Sequence, residues 1–165
     1  MAGGPIFPNS IYHTDTTGRT FPNFYNGAGG GSPNIAPVDE GIGVKASLDA
    51  DAVVQLRFAI PPTVPSGTLK LRALHLANAI TGAIYYTVSD ANVAAGASPS
   101  AATLTAETQS SYTFAAGAAD KYHEIKTTLT ASPSGNDMLV VAVKYQTASW
   151  GLAANLTSIF SIIWE

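Results

Sequence analysis

From Ala52 to Ile60 every even-numbered residue is apolar, while Gln55 and Arg57 take the opposite parity, an alternation that belongs to a half-buried β-strand. Pro61, Pro62 and Pro65 end that strand, since a residue without an N–H cannot continue a ladder. Leu69 and Leu71 then alternate with Lys70 and Arg72. Past Ala73 the apolar parity passes to Leu74 and Leu76, which predicts a bulge or a crossing between sheets. Ile84, Tyr85, Tyr86 and Val88 mark a strand over Ala83 to Ser89, and the small, polar stretch from Asp90 to Ala102 reads as a loop. A weaker strand signal runs from Thr103 to Phe114, broken near Thr108. Tyr122 to Thr130 sets Ile125, Thr127 and Leu129 against Glu124, Lys126 and Thr128. Met138 to Tyr145 is apolar at nearly every position and is expected centrally, covered on both faces. Leu156, Phe160, Ile162 and Trp164 share one parity in the last strand. The pattern amounts to about eight short strands without a helical period, and it predicts an all-β, antiparallel two-sheet sandwich of jelly-roll type.

The first forty or so residues differ. Pro5, Pro8, Pro22, Pro33 and Pro37 fall there, with the run Gly27 to Ser32, and neither period persists. A solvated tail is poor in aromatics, yet this segment carries Phe7, Tyr12, Phe21, Phe24 and Tyr25. We expect residues 1–43 to form an extended arm, with those five aromatics as contacts to a neighbouring subunit or to the domain itself. Residues 44–165 form the sandwich.

Charged residues are only 12% of the chain, about half the usual share. The net charge is −3, and the few Lys and Arg are scattered, which excludes the basic patch that a nucleic-acid partner requires. There is no cysteine, so neither disulfides nor thiolate chemistry enter. The N-terminal residues lack the basic and apolar regions of a signal peptide, and no apolar run is long enough to span a bilayer as a helix. Synthesis in the cytoplasm, with no membrane partner, is the expectation.

No constellation carries catalytic chemistry. His13, His75 and His123 lie far apart, without a second ligand at metal-binding spacing, and His75 and His123 read as sheet-face residues. Gly-x-Ser-x-Gly is absent. Asp49 and Asp51 read as turn aspartates rather than a calcium site. Catalytic, metal and cofactor residues are therefore expected to be none. Trp150 and Trp164, with Tyr85 and Tyr86, offer an alternative use: an aromatic platform for sugar on one sheet face, against a core or subunit-contact role.

The strand Val53 to Pro61 followed by Ser66 to Leu71, with the late apolar strand Met138 to Tyr145, resembles small virion accessory proteins of tailed phages, the capsid decoration or cement proteins. The resemblance covers residues 44–146, and the long Gly/Pro segment departs from it. It implies a non-enzymatic structural protein on the outer capsid surface. Its partners would be copies of itself, as a homotrimer, and the major capsid protein. The alternative is a carbohydrate- or receptor-binding module of a head fibre or tail. A shell-forming subunit and a cupin-like enzyme remain as further readings, the last lacking the His and Glu cluster it needs.

Overall fold

The computed structural model describes residues 4–14, 20–22, 34–38, 41–46, 53–77, 82–98, 102–106, 110–114, 121–145 and 156–165. Among the described residues there is no helix. The strands, in chain order, are β1 (Ser10–Thr14), β2 (Thr20–Pro22), β3 (Asn34–Val38), β4 (Gly41–Ala46), β5 (Val53–Ala59) and β6 (Leu69–Ala77). They continue with β7 (Gly82–Val93), β8 (Thr105–Ala106), β9 (Ser110–Phe114), β10 (Lys121–Thr128), β11 (Met138–Tyr145) and β12 (Leu156–Trp164). One sheet has the order β2-β1-β5-β11-β7-β8, with β9 also paired to β7, and the other has the order β10-β6-β12-β4-β3. All pairings between strands are antiparallel. The chain is an all-β jelly-roll sandwich, as its alternation requires.

The core lies between the sheets. Val54, Leu56 and Phe58 of β5, Ile84, Tyr86 and Val88 of β7, and Leu139, Val141 and Val143 of β11 supply one wall. Leu69, Leu71 and Ala73 of β6 and Phe160, Ile162 and Trp164 of β12 supply the other. Each large side chain taken fully out of water contributes about 1.5–3 kcal/mol, so these two central strand sets carry most of the stabilisation. β11 sits between β5 and β7. Its residues from Leu139 to Val143 are all buried, which matches the doubly covered position expected of it.

Two expectations are corrected. β6 has no bulge: its pairing with both β10 and β12 is continuous from Lys70 through His75. The inward parity passes from Leu69 and Leu71 through Ala73 to His75, which is fully buried, while Leu74 lies half-exposed on the outer face. The change of apolar parity is thus a histidine taking a core position, not a shift of backbone. β7 also runs past Ser89 to Val93, through residues read as loop. The buried Asp90 disguised that continuation, because a carboxylate in a strand core only makes sense once its hydrogen-bond donors are known.

Residues 4–43, expected as an arm ahead of the sandwich, supply strands to both sheets in their described parts. Ile6 exchanges backbone hydrogen bonds with Ile162 of β12 (2.9 and 2.8 Å). The chain then crosses to the other sheet, where Asn9 N donates to Arg57 O at 2.7 Å and β1 pairs along β5. Pro22 and Pro37 occupy the edge strands β2 and β3, the places where a strand tolerates proline.

One end of the sandwich is tied by short-range clamps. Asp90 accepts hydrogen bonds from Thr130 N (2.8 Å), Ala131 N (3.3 Å) and Thr130 Oγ1 (3.2 Å). Asp137 accepts from Asn92 Nδ2 (2.8 Å), Ser134 N (2.8 Å) and Ala95 N (3.1 Å). Those bonds, the Asn92 amide first, hold the Asp137 carboxyl below the usual carboxylate range.

Candidate functional site

Side chains that alternate away from the core on the seven-stranded sheet fall into cross-strand rows. Register sets Gln55 beside Ala142 and Ala142 beside Ser89, with Tyr12 of β1 opposite Gln55. The flanking rows are Arg57, Val140, Ala91 on one side and Val53, Lys144, Thr87 on the other. Strands lie about 4.8 Å apart, so one ligand of modest size spans several of these groups. The middle of this face is covered: Val140 is 1% exposed, and Ala142 and Ala91 are each 8% exposed. Gln55, Arg57, Tyr85, Thr87 and Ser89 are half-buried around it, and Lys144 is exposed. Arg57 Nη2 donates to Gln55 Oε1 at 3.2 Å, which orients the amide.

Around that covered middle, the face presents amide, guanidinium, hydroxyl, phenol and ammonium groups on paired strands. Such groups orient and hold a polar ligand through hydrogen bonds. Among the described residues no group of three or more His, Asp or Glu is placed to hold a metal ion.

The opposite outer face, on the five-stranded sheet, is occupied by ion pairs. Glu165 pairs with Lys70 (3.0 Å) and with Lys126, Lys126 lies 3.7 Å from Glu124, and Glu124 pairs with Arg72. The Lys126 ammonium, first through its hydrogen bond, holds Glu165 below the usual carboxylate range, and Lys126 is raised in turn. Charges that answer one another in this way leave little field for a ligand, and solvent screens what remains.

His75 belongs to neither surface. Its Nδ1 lies 2.7 Å from Ser158 Oγ, and its ring packs against Tyr86 (centroids 5.5 Å apart) and edge-on to Phe160 (6.4 Å). Burial first, and then the neighbouring His123, push its pKa down to about 3, so the ring is neutral. Both His75 and His123 are strand residues in mutual register. The reading of His75 as a sheet-face residue is correct as to element, but the face is the inner one.

The expected contact aromatics are dispersed. Phe7 lies where the chain crosses between sheets and is 57% exposed. Tyr12 and Phe21 are in β1 and β2, where Tyr12 pairs with Pro22 and His13 with Phe21. Phe24 and Tyr25 lie outside the described residues, as do Asp49, Asp51 and Trp150. The aromatic platform is corrected: Tyr85 is on the outer face of the seven-stranded sheet, whereas Tyr86 (0% exposed) and Trp164 (3%) are in the core. Adjacent tyrosines in one strand must point to opposite faces. Gln55, Thr87 and Ser89 were not singled out from the sequence. The period-2 pattern marks them as outward, but nothing in a single strand says that they meet across β11.

No protein-family model matches the chain, and no curated protein matches it. The resemblance to capsid decoration proteins therefore gains no support from a family. Among solved structures, the chain is similar to the K3 cleaved adhesin domain of Lys-gingipain from Porphyromonas gingivalis, at 12% identity and TM-score 0.50, over 99% of this chain and 98% of that one. The K1 cleaved adhesin domain of the same protein follows at 15% identity and TM-score 0.49, over 99% and 96%. A family 11 carbohydrate-binding module from Clostridium thermocellum scores 0.44 at 11% identity, over 94% and 95%. At such identities the likeness is one of fold, and it rests on the first of the three: this chain shares a β-sandwich fold with that domain.

Proposed function

We propose that this protein is a non-catalytic binding module that recognises carbohydrate or a glycosylated receptor through the outer face of its seven-stranded sheet. The reading places it on the head fibre or tail of a virion, the setting implied by the strand motifs between Val53 and Leu71. The observation that carries it is the row of Gln55, Ala142 and Ser89, bordered by Arg57, Thr87 and Lys144. Hydroxyl-rich ligands need donors and acceptors fixed in space, and the half-buried Gln55, Arg57, Thr87 and Ser89 with the exposed Lys144 supply them. The adhesin-like fold supports the same reading.

A glycan array with the full-length chain tests it. Binding to a defined set of glycans is expected, and the combined substitution Gln55→Ala, Thr87→Ala should weaken it about tenfold, at roughly 1 kcal/mol or less per lost hydrogen bond. Absence of any glycan binding, or binding untouched by that variant, refutes the sheet-face reading.

A second reading, attachment to neighbouring subunits as a capsid cement, is favoured by the exposed Phe7. Its expected forms are a homotrimer and a complex with the major capsid protein. Phe7→Ser would lower the solution mass of such a trimer or abolish capsid binding, and an unchanged mass together with unchanged capsid binding would remove Phe7 from any interface.

A further inference from the structure

Most edges left by the described strands are blunted. Pro37 lies in β3 and Pro22 in β2, while β8 has two residues and β9 five. The edge formed by β10 differs. It is eight residues long, free of proline, and paired with β6 alone among the described strands. We infer that this edge is an interface for a second copy of the chain, whose own β10 adds antiparallel about a two-fold axis at Ile125.

The backbone determines which groups the edge offers. Leu129 N donates to Leu69 O at 3.0 Å, continuing the register in which Thr128 faces Lys70. Hydrogen-bonded pairs recur at every second residue of an antiparallel ladder. Ile125 and Thr127 therefore bond toward β6, and the N–H and C=O groups of Glu124, Lys126 and Thr128 project the other way. Thr130 follows the same parity: its N–H leaves β6 and reaches Asp90 at 2.8 Å. That clamp ends the open stretch, so an added strand must align between Lys121 and Thr128.

Charge then selects the register. Glu124 and Lys126 are both exposed, on the outer face of the sheet. A two-fold pairing centred on Glu124 or on Lys126 puts like charges directly opposite, which destabilises a sheet. Centred on Ile125, it puts Glu124 of each copy opposite Lys126 of the other and aligns both for four backbone hydrogen bonds across the axis. A lysine on an edge ordinarily repels strand addition, but here the alternation of sign makes the antiparallel copy complementary. Ile125, half-buried against the core cluster, meets its own copy on the inner face, where Cα atoms of such a pair approach to about 4.5 Å. Arg72 and Glu165 already hold the Glu124 and Lys126 side chains, so docking has little freedom left to remove. The product is one continuous sheet through two sandwiches, an isologous contact. It does not depend on the carbohydrate reading, whose residues lie on the other sheet.

Sedimentation velocity of the full-length chain from roughly 1 to 200 µM tests the interface. A reversible monomer–dimer equilibrium is expected. Glu124→Lys and Lys126→Glu, each alone, set like charges across the axis and should weaken association about tenfold. An equimolar mixture of the two variants should recover it, because each then meets the opposite charge. A second measurement does not rely on charge. The chain has no cysteine, so Ile125→Cys should oxidise to a disulfide-linked dimer. Thr128→Cys, roughly 20 Å from its copy in this register, should not. A monomer at every concentration overturns the interface. So does a trimer, a dimer indifferent to both charge reversals, or a disulfide formed more readily at position 128 than at 125.

Discussion

His75 is the residue whose environment departs furthest from ordinary expectation. Whichever nitrogen carries its proton, one polar atom faces apolar surroundings: Nδ1 meets Ser158, and Nε2 has no hydrogen-bond partner among the described residues. An unmade bond of this kind costs about 1–3 kcal/mol. The groups that face the ring are Ser158 and Phe160 from β12, Tyr86 from β7 and His123 from β10, and none of them is an anion that would welcome a proton. The folded pKa of about 3 lies below the ordinary histidine value of 6.5, so between those values the unfolded chain binds more protons than the folded one. Stability therefore falls as the pH drops below 6.5, by about 3 kcal/mol at about pH 4.5. Asp137 and Glu165, held low by their donors, lose their own contributions only as the pH falls through the carboxylate range and below. Urea denaturation between pH 7 and 4.5 checks this. The double variant His75→Phe, Ser158→Ala should flatten the dependence, whereas Ser158→Ala alone should cost about 1–3 kcal/mol at neutral pH. A wild-type stability constant between pH 6.5 and 4.5 would contradict the buried, neutral ring.

Elements are legible in this sequence where the side-chain period does the specifying, and they are lost where a polar group is buried by a partner far along the chain. β5, β10 and β11 read directly, because alternating or continuous apolar residues determine which faces must leave water. β8 and β9 fall on either side of the expected break near Thr108. The end of β7 was hidden by Asp90, whose donors lie forty residues on at Thr130. The inner register of β6 was hidden by His75, whose partner is Ser158. Neither pairing leaves a local trace. The sheet-face row was hidden for a related reason, since it joins β5, β11 and β7 from distant parts of the chain. Turn chemistry reads better, as at Ser134 to Asp137. There Asp137 N donates to Ser134 O at 3.2 Å, and Asn136 adopts φ 68°, which Asn tolerates better than most residues. Gly135 serves close approach, since a Cβ would lie 2.0 Å from Pro62 O. Gly135→Ala must push apart two loops joined by the Asn136 N to Ile60 O bond (3.2 Å). The expected loss is about 1–3 kcal/mol, read as a fall of several degrees in melting temperature. A neutral result would show that the two loops are not held together.

At the scale of the whole molecule the question is what the N-terminal segment does. Viewed as an arm, its removal should spare a folded domain. The pairings argue otherwise, because its described parts close the sandwich on one side: Ile6 zips onto β12, Asn9 Oδ1 accepts from Ala59 N at 2.7 Å, and β1 covers the edge of β5. Ile6 and Ile11 both pack against the core cluster. Deleting residues 2–8 removes one of those isoleucines and two backbone bonds, worth about 2–3 kcal/mol together. For a chain of this size that lowers the melting temperature by roughly 5–10 °C. Deleting residues 2–40 also strips β1, β2 and β3, leaving the β5 and β4 edges bare. Bare edges template association with other chains, so the long truncation should be unstable and aggregate instead of yielding a clean monomer. Light scattering and thermal denaturation of both truncations distinguish the two roles. If the 2–40 deletion gives a soluble domain melting near the full-length temperature, the segment is an appendage for partners. A graded loss of stability from the short to the long deletion makes it part of the fold, and any contact through Phe7 is then made from a segment anchored at both ends.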